Sequence, residues 1–265
     1  MDAIATFKES QRKSWPSFRP LEWLTTVSAA RLVDHAGVRS GQRVLDVACG
    51  TGVVAVTAAR RGCQVTGLDL TPELLERARE NGKLAEVTID WHEGDAEELP
   101  FGDAQFDVVL SQFGHIFAPR PQVAIAQMLR VLKPGGTIAF STWPPELYSG
   151  SNAKLMQRYL PPPPEGVSLP MEWGDPHIVR ERLGAAVEDI VFERDILLSP
   201  ALSPRHYRVE MEKASPNLQR VLKNLAENDP TKLAQFNQEY ESLVSQYFKD
   251  NVVRMGYLLT RAKKR

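Results

Sequence analysis

Val44-Leu-Asp-Val-Ala-Cys-Gly-Thr-Gly52 is the stretch that decides the fold. A β-branched apolar run ends in a turn carrying Gly50 and Gly52, and a helix-forming stretch starts at once with Val53. That order aims backbone N–H groups and a helix N-terminus at whatever binds there, and glycine permits close approach to the backbone. Gly50, Gly52 and Ala55 also satisfy the G-x-G-x-x-G/A dinucleotide fingerprint, so the turn alone leaves two cofactor classes open.

Three carboxylates narrow the choice. Asp46 lies inside the strand end, four residues before Gly50, where it would sit awkwardly beside a pyrophosphate but comfortably beside an ammonium or sulfonium cation. Asp69 ends the next strand, where an acid accepts ribose hydroxyls, as for any adenosine. Asp95, after the third strand, is suited to an adenine amino group, a contact a dinucleotide site does not require.

Outward from this turn, Gly41 to Trp143 alternates short apolar runs with amphipathic stretches, the pattern of parallel strands joined by crossover helices. Strands are expected over Arg43 to Ala48, Gln64 to Leu68, Thr88 to Glu93, Phe106 to Ser111 and Thr137 to Thr142. The first helix should run from Val53 to Arg60 and stop at Gly62. The second should take Thr71 as N-cap and Pro72 as first residue, bury Leu74, Leu75 and Ala78, and stop at Gly82. After Pro121, the spacing of Ile125, Met128, Leu129 and Leu132 predicts a further helix, ended by Lys133-Pro-Gly-Gly136.

The flanks read differently. Residues 1 to 40 look helical, with Leu21, Leu24, Val27 and Leu32 as apolar anchors, and 144 to 175 is a Pro-rich lid with a short helix near Asn152 to Tyr159. A helix near Pro176 to Leu183 precedes a strand near Val187 to Leu198, residues 204 to 249 are mostly helical, and Val252 to Ala262 reads as a last strand. Arg261-Ala-Lys-Lys-Arg265 reads as a solvated tail.

The runs Val44 to Gly52, Val65 to Pro72, Glu93 to Phe101, Phe106-Asp-Val-Val-Leu-Ser-Gln-Phe113 and Leu129-Arg-Val-Leu-Lys-Pro-Gly-Gly136 stand in one order at one spacing. Together they make the chain resemble the class I S-adenosylmethionine-dependent methyltransferases, in style the ubiquinone/menaquinone-biosynthesis-like group that acts on small molecules. The resemblance covers residues 40 to 143 well and the flanks only in architecture. It implies a Rossmann-like, doubly wound, seven-stranded α/β sheet, mostly parallel with an antiparallel last strand, plus helical insertions forming a lid. One domain, 1–265, would then comprise an N-terminal helical cap (1–40), a cofactor core (41–143), a Pro-rich lid (144–175) and the rest of the sheet with an insertion near 204–249.

The resemblance also implies roles for individual residues. Asp46 and the backbone around Ala48, Gly50 and Gly52 would hold the methionine part of S-adenosylmethionine, Asp69 the ribose, and Leu70, Asp95 and Ala96 the adenine. Ser111 and Gln112 would reach the methionine amine and face the acceptor. Two departures stand out: Ala48, where many members have glycine, and His115-Ile-Phe117, where many have Leu-His-His.

Methyl transfer from a sulfonium is an in-line displacement whose leaving group becomes neutral, so the enzyme's main task is to hold the acceptor about 3 Å from the methyl and exclude water. A general base adds roughly 10² to 10⁴-fold when the acceptor carries a proton. His115, just past the fourth strand at the carboxyl edge of the sheet, is the base candidate, against the alternative of a structural histidine. His206 and Tyr207 are weaker candidates, and His35 and His92 read as structural. Trp15, Trp143, Tyr148 and Trp173 are candidates to close over the cofactor or line an apolar acceptor pocket.

Composition sets the outer bounds. Of the 265 residues, 32 are Lys or Arg against 33 Asp or Glu, so a net charge of -1 provides no field for nucleic acid. No Asn/Asp-Pro-Pro-Tyr-type sequence follows the fourth strand either, where Ser111-Gln-Phe-Gly stands. Cys49 and Cys63 lie outside any CxxC or metal-ligand spacing and read as reduced thiols; no metal is expected. Without a signal-like N-terminus or an apolar run of roughly 18 residues, the chain reads as cytoplasmic, with no integral membrane segment. The expected partner is a small-molecule acceptor, apolar or quinone- or lipid-like, methylated at carbon, oxygen or nitrogen. The competing readings are an NAD(P)-dependent oxidoreductase and a non-catalytic sensor or partner subunit that keeps the cofactor site.

Overall fold

Alternating apolar runs and amphipathic stretches become alternating strands and helices. The computed structural model describes residues 3–265. Two helices lead in, α1 (Ala3–Ser14) and α2 (Glu22–His35), joined by a 3-10 segment over Trp15–Leu21. Then come β1 (Arg43–Val47), α3 (Val53–Ala59), β2 (Gln64–Asp69), α4 (Pro72–Leu84), β3 (Asp90–Glu93), β4 (Phe106–Gln112), α5 (Pro121–Val131) and β5 (Leu132–Thr142). The second half adds α6 (Tyr148–Gln157), α7 (Pro176–Leu183), β6 (Val187–Pro200), α8 (Pro204–Ala214), α9 (Pro216–Asn228), α10 (Leu233–Tyr247), β7 (Phe248–Lys249) and β8 (Val252–Lys264).

Among the described residues the strands form one sheet in the order β3-β2-β1-β4-β5-β8-β6, with the two-residue β7 folded back on β8. β1 to β5 are parallel, and β8 inserts antiparallel between β5 and β6. This is the expected Rossmann-like, doubly wound sheet with its antiparallel last strand. Both faces are covered, which is why the strands read as continuous apolar runs. Val44, Val108, Leu110 and Ala139 enter the core shared with α2 and α3. Their neighbours Leu45, Val109, Ile138 and Phe140 enter the core shared with α5 and α7. Strand order reverses between β1 and β4, and that switch point opens a crevice at the carboxyl ends of the strands.

Several boundaries differ from expectation for physical reasons. Gly82 does not end α4; the helix continues to Leu84 and closes with Glu86 at φ 56, the Val87 N–H donating to Gly82 O at 3.0 Å and the Glu86 N–H to Lys83 O at 3.1 Å. That bond pair is a Schellman closure with Glu86 where glycine is usual. Thr71 occupies the cap position of α4 without a side-chain cap bond. Ala48 lies outside β1 and takes φ 54, the left-handed region. Val27 is exposed, so α2 is anchored by Ala29, Leu32 and Val33 instead. Residues 261–264 are the end of β8, not a tail: Lys264 Nζ donates to Leu129 O at 2.7 Å and Leu132 O at 2.8 Å, satisfying the carbonyls where α5 turns into β5. The lid helix α6 begins at Tyr148, earlier than expected.

Candidate active site

The crevice deepens into a cavity of about 320 Å³, within the roughly 300–1,000 Å³ of small-molecule sites. Its floor is the turn after β1. Cys49 N–H bonds Leu68 O at 3.0 Å, tying the turn to β2, and Gly52 starts α3 at φ 79. Asp46, 1% exposed, points its carboxylate at the start of α3, where Oδ2 accepts from Ala55 N–H at 3.0 Å. Oδ1 is buried and has no partner. Burial pushes this carboxyl up to about 8.

Asp69 is the hinge between two turns. Its Oδ2 accepts from Gly50 N–H at 2.7 Å and its Oδ1 from Thr71 N–H at 2.9 Å. Burial still raises its pKa above the ordinary carboxylate value, against those amide bonds. Asp95 accepts from Glu97 N–H at 2.8 Å through Oδ1, and its Oδ2 pairs with Lys8 Nζ at 2.6 Å. Lys8 also reaches Glu97, a carboxylate 5% exposed that Arg120 holds from the other side. Lys8 and Gln11 therefore bring α1 over the cavity, although α1 buries no residue of its own. The sequence carried no sign of this contact, because an ion pair 87 residues apart has no periodicity.

Of the expected cofactor residues, Asp46, Ala48, Gly50, Asp69, Leu70, Asp95, Ala96 and Gln112 line the cavity. Gly52 and Ser111 are not among its lining residues. Gly52 is a packing residue: a Cβ there would stand 2.5 Å from the Trp91 ring. Ser111, fully buried, donates to Val47 O at 2.8 Å and accepts from His115 N–H at 3.1 Å, bracing the ends of β1 and β4. Gln112 faces the cavity with its amide tied to α2, Nε2 donating to Ser28 Oγ at 2.6 Å.

His115 is the correction that matters for chemistry. After β4, Phe113 takes φ 57 and turns into the cavity, while His115 swings to the other face of the sheet. Its ring is 4.7 Å from both Phe140 and Trp173, fully buried, with neither nitrogen hydrogen-bonded. Burial pushes its pKa down to about 3, so it is a neutral core residue. Trp173 packs with it and does not line the cavity, whereas Trp15, Trp143 and Tyr148 do. Tyr207 lines the cavity as well, and His206 instead accepts from Leu202 N–H at 3.3 Å through Nδ1.

The Phe113–Trp143 stack, with centroids 4.0 Å apart and planes at 9°, lines the cavity together with residues of α6, β6, α8, α9, α10 and β8. Met156, Met211, Met255 and Tyr240 are lining residues the sequence did not single out.

A doubly wound sheet gathers three carboxyl groups, at the ends of β1 and β2 and just after β3, around one cavity at its switch point, where ligands of such sheets bind. Comparison with known proteins agrees. Residues 45–140 match the family model of the methyltransferase domain. The uncharacterized protein Rv1403c of Mycobacterium tuberculosis is 35% identical over 234 residues, 88% of this chain and 85% of that protein. A demethylmenaquinone methyltransferase of Renibacterium salmoninarum is 44% identical over 107 residues, 40% of this chain and 44% of that enzyme. The crystal structure of the YcgJ protein of Bacillus subtilis shares the fold at a TM-score of 0.58 and 17% identity, covering 90% of this chain and 98% of that one. The chain belongs to the class I S-adenosylmethionine-dependent methyltransferases.

Proposed function

We propose that this protein transfers the methyl group of S-adenosylmethionine to a small-molecule acceptor, apolar or quinone- or lipid-like, at carbon, oxygen or nitrogen. The observation that carries the reading is Asp46 Oδ1, a carboxylate oxygen buried at the cavity floor without a partner. A buried anionic oxygen is costly unless a cation or donor meets it. The charged amine or sulfonium of such a cofactor supplies that match; the pyrophosphate of a dinucleotide does not.

S-adenosylmethionine, when bound, supplies an activated methyl on a positively charged sulfur. This chain's own residues then divide the remaining work. Asp46 and the backbone at Ala48 and Gly50 hold the methionine part, Asp69 takes the ribose hydroxyls, and Asp95 with Leu70 and Ala96 takes the adenine. Gly52 and Ser111 support this indirectly, by shaping the start of α3 and bracing β1 against β4. Gln112, Phe113 and Trp143, which line the same cavity, would separate the cofactor from the acceptor. Residues 1–265 are read as one domain, since β8 and β6 complete the sheet begun by β1 to β5.

The acceptor's apolar character is supported by the lining beyond Trp143 and by the partial likeness to a demethylmenaquinone methyltransferase. The test is calorimetry with S-adenosylhomocysteine and NADH. Binding of the former and none of the latter is expected; the reverse overturns the reading in favour of an oxidoreductase.

A further inference from the structure

α1 is attached to the rest of the molecule by charge and not by burial. It buries no residue, whereas α2 sets Ala29, Leu32 and Val33 into the core. Lys8 and Gln11 on α1, with Trp15 just past its end, follow the i, i+3, i+7 spacing of one helix face, and all three line the cavity. Among the described residues, the ion pairs that tie α1 down all go to one segment, residues 93–97. Arg12 Nη2 meets Glu93 Oε1 at 2.9 Å, and Lys8 Nζ meets both Asp95 Oδ2, at 2.6 Å, and Glu97 Oε2. The fixed end of the helix is Trp15, whose ring meets Phe117 edge-on with centroids 4.6 Å apart.

Breaking a buried ion pair is costly when it strands one partner without its counter-charge. Release of Lys8 strands neither carboxylate. Glu97, the buried one, keeps Arg120, whose backbone N–H donates to Oε1 at 2.6 Å and whose Nε donates to Oε2 at 2.8 Å. Asp95 keeps the Glu97 N–H at 2.8 Å, and its side chain is 26% exposed, so water completes its shell. These contacts can therefore open and re-form with the sheet and its turns intact.

We propose that Lys8 is a latch: paired with Asp95 and Glu97 it holds α1 closed over the strand-end side of the cavity, and its release, favoured by salt, lets the ligand of that end in and out. That this ligand is S-adenosylmethionine rests on the methyltransferase reading; the latch itself is a property of the chain. A ligand beneath Lys8, Gln11 and Trp15 is enclosed only while α1 is down, so it shifts the helix toward the closed state. Salt acts on the latch because the Debye length falls from about 10 Å at 0.1 M to about 3 Å at 1 M. The apolar burial that holds α2 is not screened in this way. Once released, a helix of 12 residues is marginal in water and unfolds.

Limited proteolysis of the full chain tests it, because trypsin cleavage after Arg12 and Lys13 reads the population in which α1 is released. Rates are followed by mass spectrometry and divided by those of a free peptide of the same sequence, which removes the effect of salt on trypsin. Raising NaCl from about 0.05 to 1 M should speed cleavage of the wild type about fivefold. Lys8→Met should be cleaved fast already at low salt and lose most of the salt response, and Lys8→Arg should restore both. S-adenosylhomocysteine should slow cleavage of the wild type, and its dissociation rate in stopped flow should rise several-fold in Lys8→Met. A wild type indifferent to salt, a salt response that survives Lys8→Met, or S-adenosylhomocysteine that binds without slowing cleavage would overturn the inference. Binding is scored separately by calorimetry: no binding with the salt response intact strikes the cofactor reading and leaves the latch standing.

Discussion

The two ends of the cavity are built by different means. The end proposed for the cofactor comes from strand ends and the turns that follow them, where Asp46 and Asp69 accept from the backbone amides of Ala55, Gly50 and Thr71 at 2.7 to 3.0 Å. The end proposed for the acceptor comes from α6, α8, α10 and β8, whose lining residues span Tyr148 to Met255 and meet by packing and by side-chain contacts such as Tyr148 Oη to Tyr240 Oη at 3.3 Å. One end concentrates buried carboxyl groups; the other has none among its described lining residues. On the proposed reading the carboxyl groups of the first end work because backbone donors hold them beside the place a cation would take.

The largest effect expected separates the ends directly. Asp69→Ala removes the acceptor of the Gly50 and Thr71 amides and should weaken S-adenosylhomocysteine binding by more than about tenfold, with circular dichroism unchanged. Tyr240→Phe should leave that affinity in place. Equal losses in the two variants would break the contrast.

The next effect is a pH dependence confined to the cofactor end. Because burial pushes Asp46 up to about 8, a cationic ligand must recruit its ionised form. S-adenosylhomocysteine affinity should therefore rise with pH, by up to about tenfold per pH unit, levelling off above about 8, with proton release on binding. Calorimetry in buffers of different ionisation enthalpy reads that release, and Asp46→Asn should abolish it along with the slope.

A smaller change is expected behind the sheet. In the unfolded chain His115 protonates near its ordinary 6.5, whereas burial keeps it neutral in the fold down to about 3. Stability is thus complete above pH 6.5 and is lost as pH falls through that window. His115→Phe should flatten the acid limb of denaturation curves by about one proton. The smallest effect belongs to Ala48, held at φ 54: Ala48→Gly relieves strain but frees the unfolded chain, so urea titration should show a shift of at most about 1 kcal/mol.

The legibility of the two ends in the sequence follows from the same difference in construction. β1 to β5, the Gly50 turn and the positions of Asp46, Asp69 and Asp95 at the cavity were readable because strand, turn and helix signals are local. Gly52 and Ser111 carried the right motif position but serve packing and bracing, since a motif names a backbone position and not the direction of its side chain. His115 failed for that reason: the turn at Phe113 sends one residue into the cavity and the other behind the sheet. Lys8 over Asp95 was unreadable because nothing local in α1 records a partner 87 residues away.

By itself the sequence determined the doubly wound sheet and, through the order and spacing of its motifs, the class of cofactor, because strand, turn and helix signals lie within short segments. Only the tertiary structure decided which aromatics line the cavity, that a lysine of α1 pairs with the Asp95 carboxylate, and that three phenols from three helices line its other end. Those features depend on contacts between segments far apart in the chain, where burial and packing choose the orientation and no local periodicity records the choice.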